Sequence, residues 1–254
     1  YTVVVVDANG CTASANTNVT VHPTPTVDNP GNQAVCNNAA TTAITFTGAV
    51  SSTTYNWTNN TTSIGLAASG TGNIASFTAI NTGTTNVVAT ITVTPSANGC
   101  VGAPVSFTIT VRPTPNVVKP PDQTVCNGSS TNPVNFSGNV TGTIYNWTNN
   151  TPSIGLAANG TGNIPAFTAN ATGTAPITAT IIVTPSYEGC PGTPQSFTIT
   201  VRPTPVVTIS GTITVCRGSS PPPVITFTNP HPLAVIVTYN INGGAPQTIN
   251  IAAN

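Results

Sequence analysis

The side chains in this sequence best suited to chemistry are six cysteines, two histidines and four acids. Cysteines at 11, 36, 100, 126, 190 and 216 suit either disulfides or a metal. A thiolate or imidazole metal site needs close ligand pairs, such as CxxC. No CxxC occurs, and His22 and His231 lie far from any such pair, so no metal ligands are expected. Glycoside hydrolysis would require two carboxylates held close together. The acids Asp7, Asp28, Asp122 and Glu188 are too scattered for that. A Ser-His-Asp arrangement would have to recruit His22 or His231, both in proline-flanked segments. Calcium takes several oxygen ligands, usually including multiple carboxylates; Asp28 or Asp122 would supply only one. GTGN at 70–73 and 160–163 reads as a turn between strands, not a phosphate loop opening a helix. The expectation is no catalytic residue, no cofactor and no enzyme.

The stretch YNWTNNT, at 55–61 and again at 145–151, is the other candidate site. On a strand, Tyr55 and Trp57 share one face while Asn56 and Thr58 share the other, and Tyr145 and Trp147 repeat the pattern. Inward rings would make these four residues structural core; a sugar-stacking platform would need them exposed. The Asn-x-Thr sequons at Asn56, Asn59, Asn60, Asn146, Asn149, Asn139 and Asn170 follow from a chain rich in both residues. They are not taken as glycosylation sites, and O-linked sugars on threonine stay open.

The elements that must position these residues are strands. Charged residues make up 3% of the 254, against roughly 25% in ordinary soluble domains. A net charge of zero leaves no basic patch for nucleic acid or an anionic membrane. Thr, Val and Ile favour strands, and Gly, Pro and Asn favour turns. No window has the pattern of a capped amphipathic helix, and no apolar run is long enough to span a bilayer. The chain is therefore all-β. Having no initiating Met and beginning mid-alternation at YTVVVV, it reads as a piece of a longer protein.

A period of 90 residues organises it. Cys36, Trp57 and Cys100 recur as Cys126, Trp147 and Cys190, and an ungapped alignment of 36–115 with 126–205 has 52 identities in 80 positions. VRPTP at 111–115 and 201–205 is echoed by VHPTP at 21–25, and TVC recurs at Cys216. Four pieces follow: 1–21, the last strands of a preceding repeat; 27–112 and 117–202, two complete sandwiches; and 207–254, the start of a further repeat. The Pro-Thr-Pro joints fix φ and lack amide donors, so they are semi-rigid. Units of this length with short alternating strands suggest immunoglobulin-like sandwiches. Strands are predicted near Gln33–Cys36, Ala43–Thr47, Thr54–Thr58, Ala75–Ala79, Val87–Thr94 and Val105–Val111, with Phe107, Ile109 and Val111 facing inward.

Six cysteines in so uncharged a chain suggest oxidising surroundings. Pairing within repeats gives Cys36–Cys100 and Cys126–Cys190. Pairing across linkers gives Cys11–Cys36, Cys100–Cys126 and Cys190–Cys216. If the first strand starts at the pole of the last hairpin, ANGC at 97–100, the within-repeat scheme is expected. The linker scheme would require the final strand to double back. Cys11 and Cys216 are then unpaired within the segment.

Tyr-x-Trp in YNWTNN, with YTVVVVDANGCTASANTNVTV and TYNINGG, resembles the PKD-like domains repeated in giant surface proteins of Bacteroidota. Better-known PKD domains follow the Trp strand with Gly-Asp-Gly; NNTTSIGL and NNTPSIGL replace it here, so nothing that depends on that acidic turn carries over. The resemblance implies an extracellular, cell-surface stretch of a gliding or adhesion fibre exported by type IX secretion. Its partners would be neighbouring repeats, other copies in a fibre and possible surface glycans. The alternative is a glycan-binding accessory module of a secreted polysaccharide-degrading enzyme. A further alternative has the incomplete ends of two chains complementing one another, with Cys11 meeting Cys216.

Overall fold

A computed structural model describes residues 1–210, 225–230, 232–240 and 244–253; Cys216 and His231 lie outside the described residues. It divides into two compact units, Tyr1–Thr114 and Pro115–Asn254, and the described elements are all-β apart from two single 3-10 turns.

The first unit opens with a hairpin, β1 (Thr2–Val6) and β2 (Thr12–Asn16), exposed along its whole length. Its sandwich then comprises β3 (Gln33–Cys36), β4 (Thr54–Asn59), β5 (Ser69–Thr71), β6 (Val87–Ala97), β7 (Cys100–Val101) and β8 (Val105–Arg112). The sheet order is β3-β8-β6-β4-β5, with β7 on β6. All pairs are antiparallel except β3 and β8, which run parallel with Cys36 opposite Arg112.

One face of β6 and β8 is apolar, and Ala89, Ile91, Val93, Phe107, Ile109 and Val111 are buried there. The other face is hydroxyl-rich, where Thr92 and Ser106 hydrogen-bond across the strands at 2.9 Å. Such alternation suits a sheet solvated on one side. The facing layer supplies Ile44, Phe46, Ile64, Leu66 and Ile74 to the same core.

The expected strands at Ala43–Thr47 and Ala75–Ala79 do not form ladders. Around them the backbone makes only the isolated bridges Ala40–Thr78 and Ile44–Ile74. Side chains take over two of the other amides: Asn73 Oδ1 accepts from Phe46 N–H at 3.0 Å, and Thr41 Oγ1 from Phe77 N–H at 3.1 Å. The short strand β5 forms although Ser-Gly-Thr carries no strand signal.

The second unit repeats the sandwich with β9 (Gln123–Cys126), β10 (Ile144–Asn149), β11 (Asn159–Thr161), β12 (Ile177–Tyr187), β13 (Cys190–Pro191) and β14 (Gln195–Arg202), in the order β11-β10-β12-β14-β9. Its core repeats Trp147, Ile154, Ile181, Phe197 and Ile199. Two small ladders follow, β15 (Thr208–Ser210) with β16 (Thr226–Thr228), and β17 (Val235–Tyr239) with β18 (Gln247–Ile251).

Candidate functional site

The YNWTNN residues lie on β4 and β10. Strand alternation sends Trp57 and Trp147 into the cores, each 7% exposed. Trp57 is directly opposite Gly70 on β5. A Cβ on Gly70 would overlap the six-membered ring of the indole, and the same is true of Gly160 and Trp147. The glycine is there because the ring lies flat against its backbone. Trp147 Nε1 donates to the Gly162 carbonyl at 3.1 Å. Tyr55 packs half-buried on Phe46, ring centroids 5.7 Å apart, and Phe46 meets Phe107 at 6.4 Å. Tyr145 occupies the corresponding place beside Phe136; burial raises its phenol pKa, with a smaller opposing effect from a hydrogen bond with Thr143. Neither tryptophan of this motif is available for stacking.

The asparagines that follow are structural, which the sequence did not disclose. Asn59 is buried, and its Nδ2 donates to the carbonyls of Leu66 at 3.0 Å, Ala67 at 3.3 Å and Thr61 at 3.3 Å. Its Oδ1 accepts from Thr61 N–H at 2.9 Å. Asn60 Oδ1 accepts from Thr90 N–H at 2.8 Å, tying the turn to β6. Asn149 and Asn150 repeat these bonds, apart from the one to the Thr61 carbonyl. Their recurrence at both copies was the available signal, hidden by the abundance of asparagine elsewhere.

Asp7, Asp28 and Asp122 serve as local acceptors. Asp7 Oδ1 closes the β1–β2 turn by accepting from Asn9 and Cys11 N–H. Asp28 accepts from Thr47 Oγ1 at 2.8 Å. Asp122 Oδ1 accepts from Thr198 N–H at 2.6 Å, and that bond is the main reason its pKa is lowered. In the first sandwich the neutral Asn32 does the same for Thr108. GTGN closes a turn with Gly72 at φ +76°. Among the described residues no three His, Cys, Asp or Glu side chains cluster as metal ligands.

The sulfurs depart from the expected pairing. Cys36 and Cys190 each take part in a disulfide, whereas Cys100, Cys126 and Cys11 carry free thiols. Neither Cys36–Cys100 nor Cys126–Cys190 forms, and the linker pairs Cys11–Cys36 and Cys100–Cys126 are absent too. The reason is strand polarity. Cys36 ends β3 rather than starting it, and β3 runs parallel to β8, so Cys36 sits beside Arg112 at the far pole. Val87, the first residue of β6, is level with Val111 there, while Ala97, its last residue, pairs with Cys100 at the opposite pole. The ten steps of β6 span roughly 33 Å, but a disulfide requires Cα atoms within about 7 Å. Cys126 beside Arg202 and Cys190 beside Tyr187 are separated in the same way.

Residues 33–115 and 123–205 each match the family described as PKD-like domain. Among curated proteins none matches the chain by sequence. Among solved structures, the chain is similar to Sidekick-1 immunoglobulin domains 1–5, with a TM-score of 0.43, 12% identity, and 99% of this chain and 59% of that one covered. It is also similar to immunoglobulin domains 1 and 2 of DIP-gamma, with a TM-score of 0.39, 9% identity and coverage of 71% and 98%. Mouse cadherin-23 EC22–24 gives a TM-score of 0.34, 14% identity and coverage of 71% and 64%.

Proposed function

Because this chain belongs to the PKD-like domain family through residues 33–115 and 123–205, we propose that it is a structural segment of an extracellular bacterial surface fibre or adhesin stalk. The domain array of this proposal is 1–21, 27–112, 117–202 and 207–254, and its residues perform no chemistry. A Bacteroidota cell surface reached by type IX secretion, with a role in gliding or adhesion, is the setting we assign. The observation that carries the reading is the repeated sandwich itself. Its tryptophans are buried, Asp7 and Asp122 accept backbone N–H bonds, and the outer face of β6 and β8 is mostly threonine and serine. Such a surface is hydrated without net charge and depends little on ionic strength.

Two measurements test it. Antibody raised against residues 117–202 should label intact cells of the source organism; labelling only after permeabilisation would overturn the surface location. Acrylamide should quench the tryptophans weakly, and soluble oligosaccharides should leave their emission unchanged. A sugar-sensitive emission would favour a glycan-binding module of a secreted enzyme instead.

A further inference from the structure

We propose that the hairpin tip Asn98–Gly99 is a self-modifying site, where the first sandwich gains a negative charge by intramolecular loss of ammonia. Four Asn-Gly steps lie among the described residues: Asn9–Gly10, Asn98–Gly99, Asn127–Gly128 and Asn159–Gly160. The sequence ranks them equally, and the structure does not.

The chemistry needs only water. The Gly99 amide nitrogen loses its proton and attacks Asn98 Cγ, closing a five-membered succinimide, and the side-chain nitrogen leaves as ammonia. Water then adds to one ring carbonyl and opens the ring. Attack at the side-chain carbonyl leaves aspartate; attack at the backbone carbonyl leaves isoaspartate. Nothing is oxidised or reduced. Glycine is the receptive neighbour because no Cβ shields its nitrogen. Ring closure also needs a free side-chain amide, a free glycine N–H and a backbone that can turn.

Three of the four steps are held. Asn127 Nδ2 donates to Thr204 Oγ1 at 3.2 Å, its Oδ1 accepts from Ala171 N–H at 2.9 Å, and Gly128 N–H donates to the Ala169 carbonyl at 2.8 Å. Asn159 and Gly160 are fixed in β11, opposite Thr148 and Trp147. Asn9 N–H donates to Asp7 Oδ1 at 2.9 Å and Gly10 N–H to the Asp7 carbonyl at 3.0 Å.

Asn98 has none of these restraints. Among the described residues nothing hydrogen-bonds its side chain or the Gly99 N–H. Both residues are exposed, and a Cβ at Gly99 would meet nothing within 4 Å. They make the two-residue turn between β6 and β7, at φ +50° and +78°, where Asn-Gly is favoured because both positions need positive φ. Strand β7 pairs with β6 only through Ala97–Cys100 and Ser96–Val101, and tips held so lightly open at little cost. The second sandwich places Glu188 at the same position, also left-handed at φ +46°. The fold therefore holds a carboxylate at this tip, and the longer glutamate side chain cannot close the five-membered ring.

The experiment incubates the folded chain in mildly alkaline buffer, then digests it with pepsin in acid, which halts the reaction. Peptide mass and electron-transfer fragmentation distinguish asparagine, aspartate and isoaspartate at each step. The Asn98 peptide should convert first. Each hydrogen bond that must break slows ring closure by roughly two- to tenfold, so Asn127, with three, should lag by at least about tenfold. In guanidinium chloride this ranking should vanish. Conversion of Asn9, Asn127 or Asn159 as fast as Asn98 in the folded chain, or an Asn98 that converts only when unfolded, overturns the proposal. So does a lead of Asn98 that persists unchanged in guanidinium chloride. Asn98→Glu, which copies Glu188, should remove the first phase of ammonia release; survival of that phase would refute the assignment. These readouts involve neither cell-surface labelling nor sugar response, so this site and the stalk role can fail separately.

Discussion

Gly70→Ala probes the link between the YNWTNN motif and the core most directly. The indole of Trp57 occupies the space a Gly70 Cβ would need, so the new methyl must push the ring outward or lift β5 from β4. Overpacking of this kind costs about 1–3 kcal/mol, below the roughly 3–5 kcal/mol of losing a whole buried Trp. Taking about 2 kcal/mol, and about 4–8 °C per kcal/mol for a domain of this size, the first repeat should melt about 8–16 °C lower. The assay uses a Trp147→Phe background, which leaves Trp57 as the only indole. Emission should shift to the red and acrylamide quenching should rise. Gly72→Ala is the control. Gly72 is at φ +76° with nothing within 4 Å of a new Cβ, so it should cost about 1–2 kcal/mol of backbone strain and leave quenching unchanged. If Gly70→Ala melts with the parent and quenches identically, Trp57 does not lie on Gly70 and the inward reading of the motif fails.

Asn59→Ala should destabilise the first repeat by about 2–4 kcal/mol in urea, because the buried Leu66 carbonyl and the partly buried Ala67 carbonyl lose their donor at about 1–3 kcal/mol per orphaned group. Asn56→Ala, at an exposed bond to Thr71, should stay within about 0.5 kcal/mol; equal effects would contradict the geometry. Asp122 has a folded pKa below its ordinary 3.8. Its contribution is therefore present above that value and lost as pH falls through the folded one. In a Trp57→Phe background, where Trp147 reports on the second repeat, melting should fall on acidification below about pH 4. Asp122→Asn should flatten that dependence, as Asn32 does for Thr108 in the first repeat; an unchanged acid limb would discount this bond. With four basic and four acidic residues in all, raising sodium chloride from low to molar concentration should move melting by less than about 2 °C. A larger shift would reveal electrostatics that this surface does not show.

Much of this protein is legible without coordinates. Val105–Val111 alternates apolar with hydroxyl residues, and a half-buried strand has no other way to satisfy both faces. The 90-residue recurrence of Cys, Trp and Pro-Thr-Pro declares a repeated unit, because identical sequence in identical context folds alike. The Tyr-x-Trp spacing places both rings on one strand face, and the apolar neighbours leave that face only one destination. Other features depend on atoms far apart in sequence. Asn59 is indistinguishable from Asn56 in the chain; it is buried because β4 ends where the Leu66–Ala67 carbonyls turn toward it. Gly70 looks like a turn residue until Trp57 is laid across it.

The disulfides show the division most sharply. Six cysteines and their 90-residue spacing establish that each repeat has one at its first strand and one at its last hairpin. Spacing along the chain is silent on strand direction. Whether β3 runs with or against β8 reverses the pole at which Cys36 emerges, and a disulfide tolerates only a few ångströms of error. Only the tertiary structure, through the parallel register of Cys36 with Arg112, decides that the two cysteines of one repeat face opposite joints.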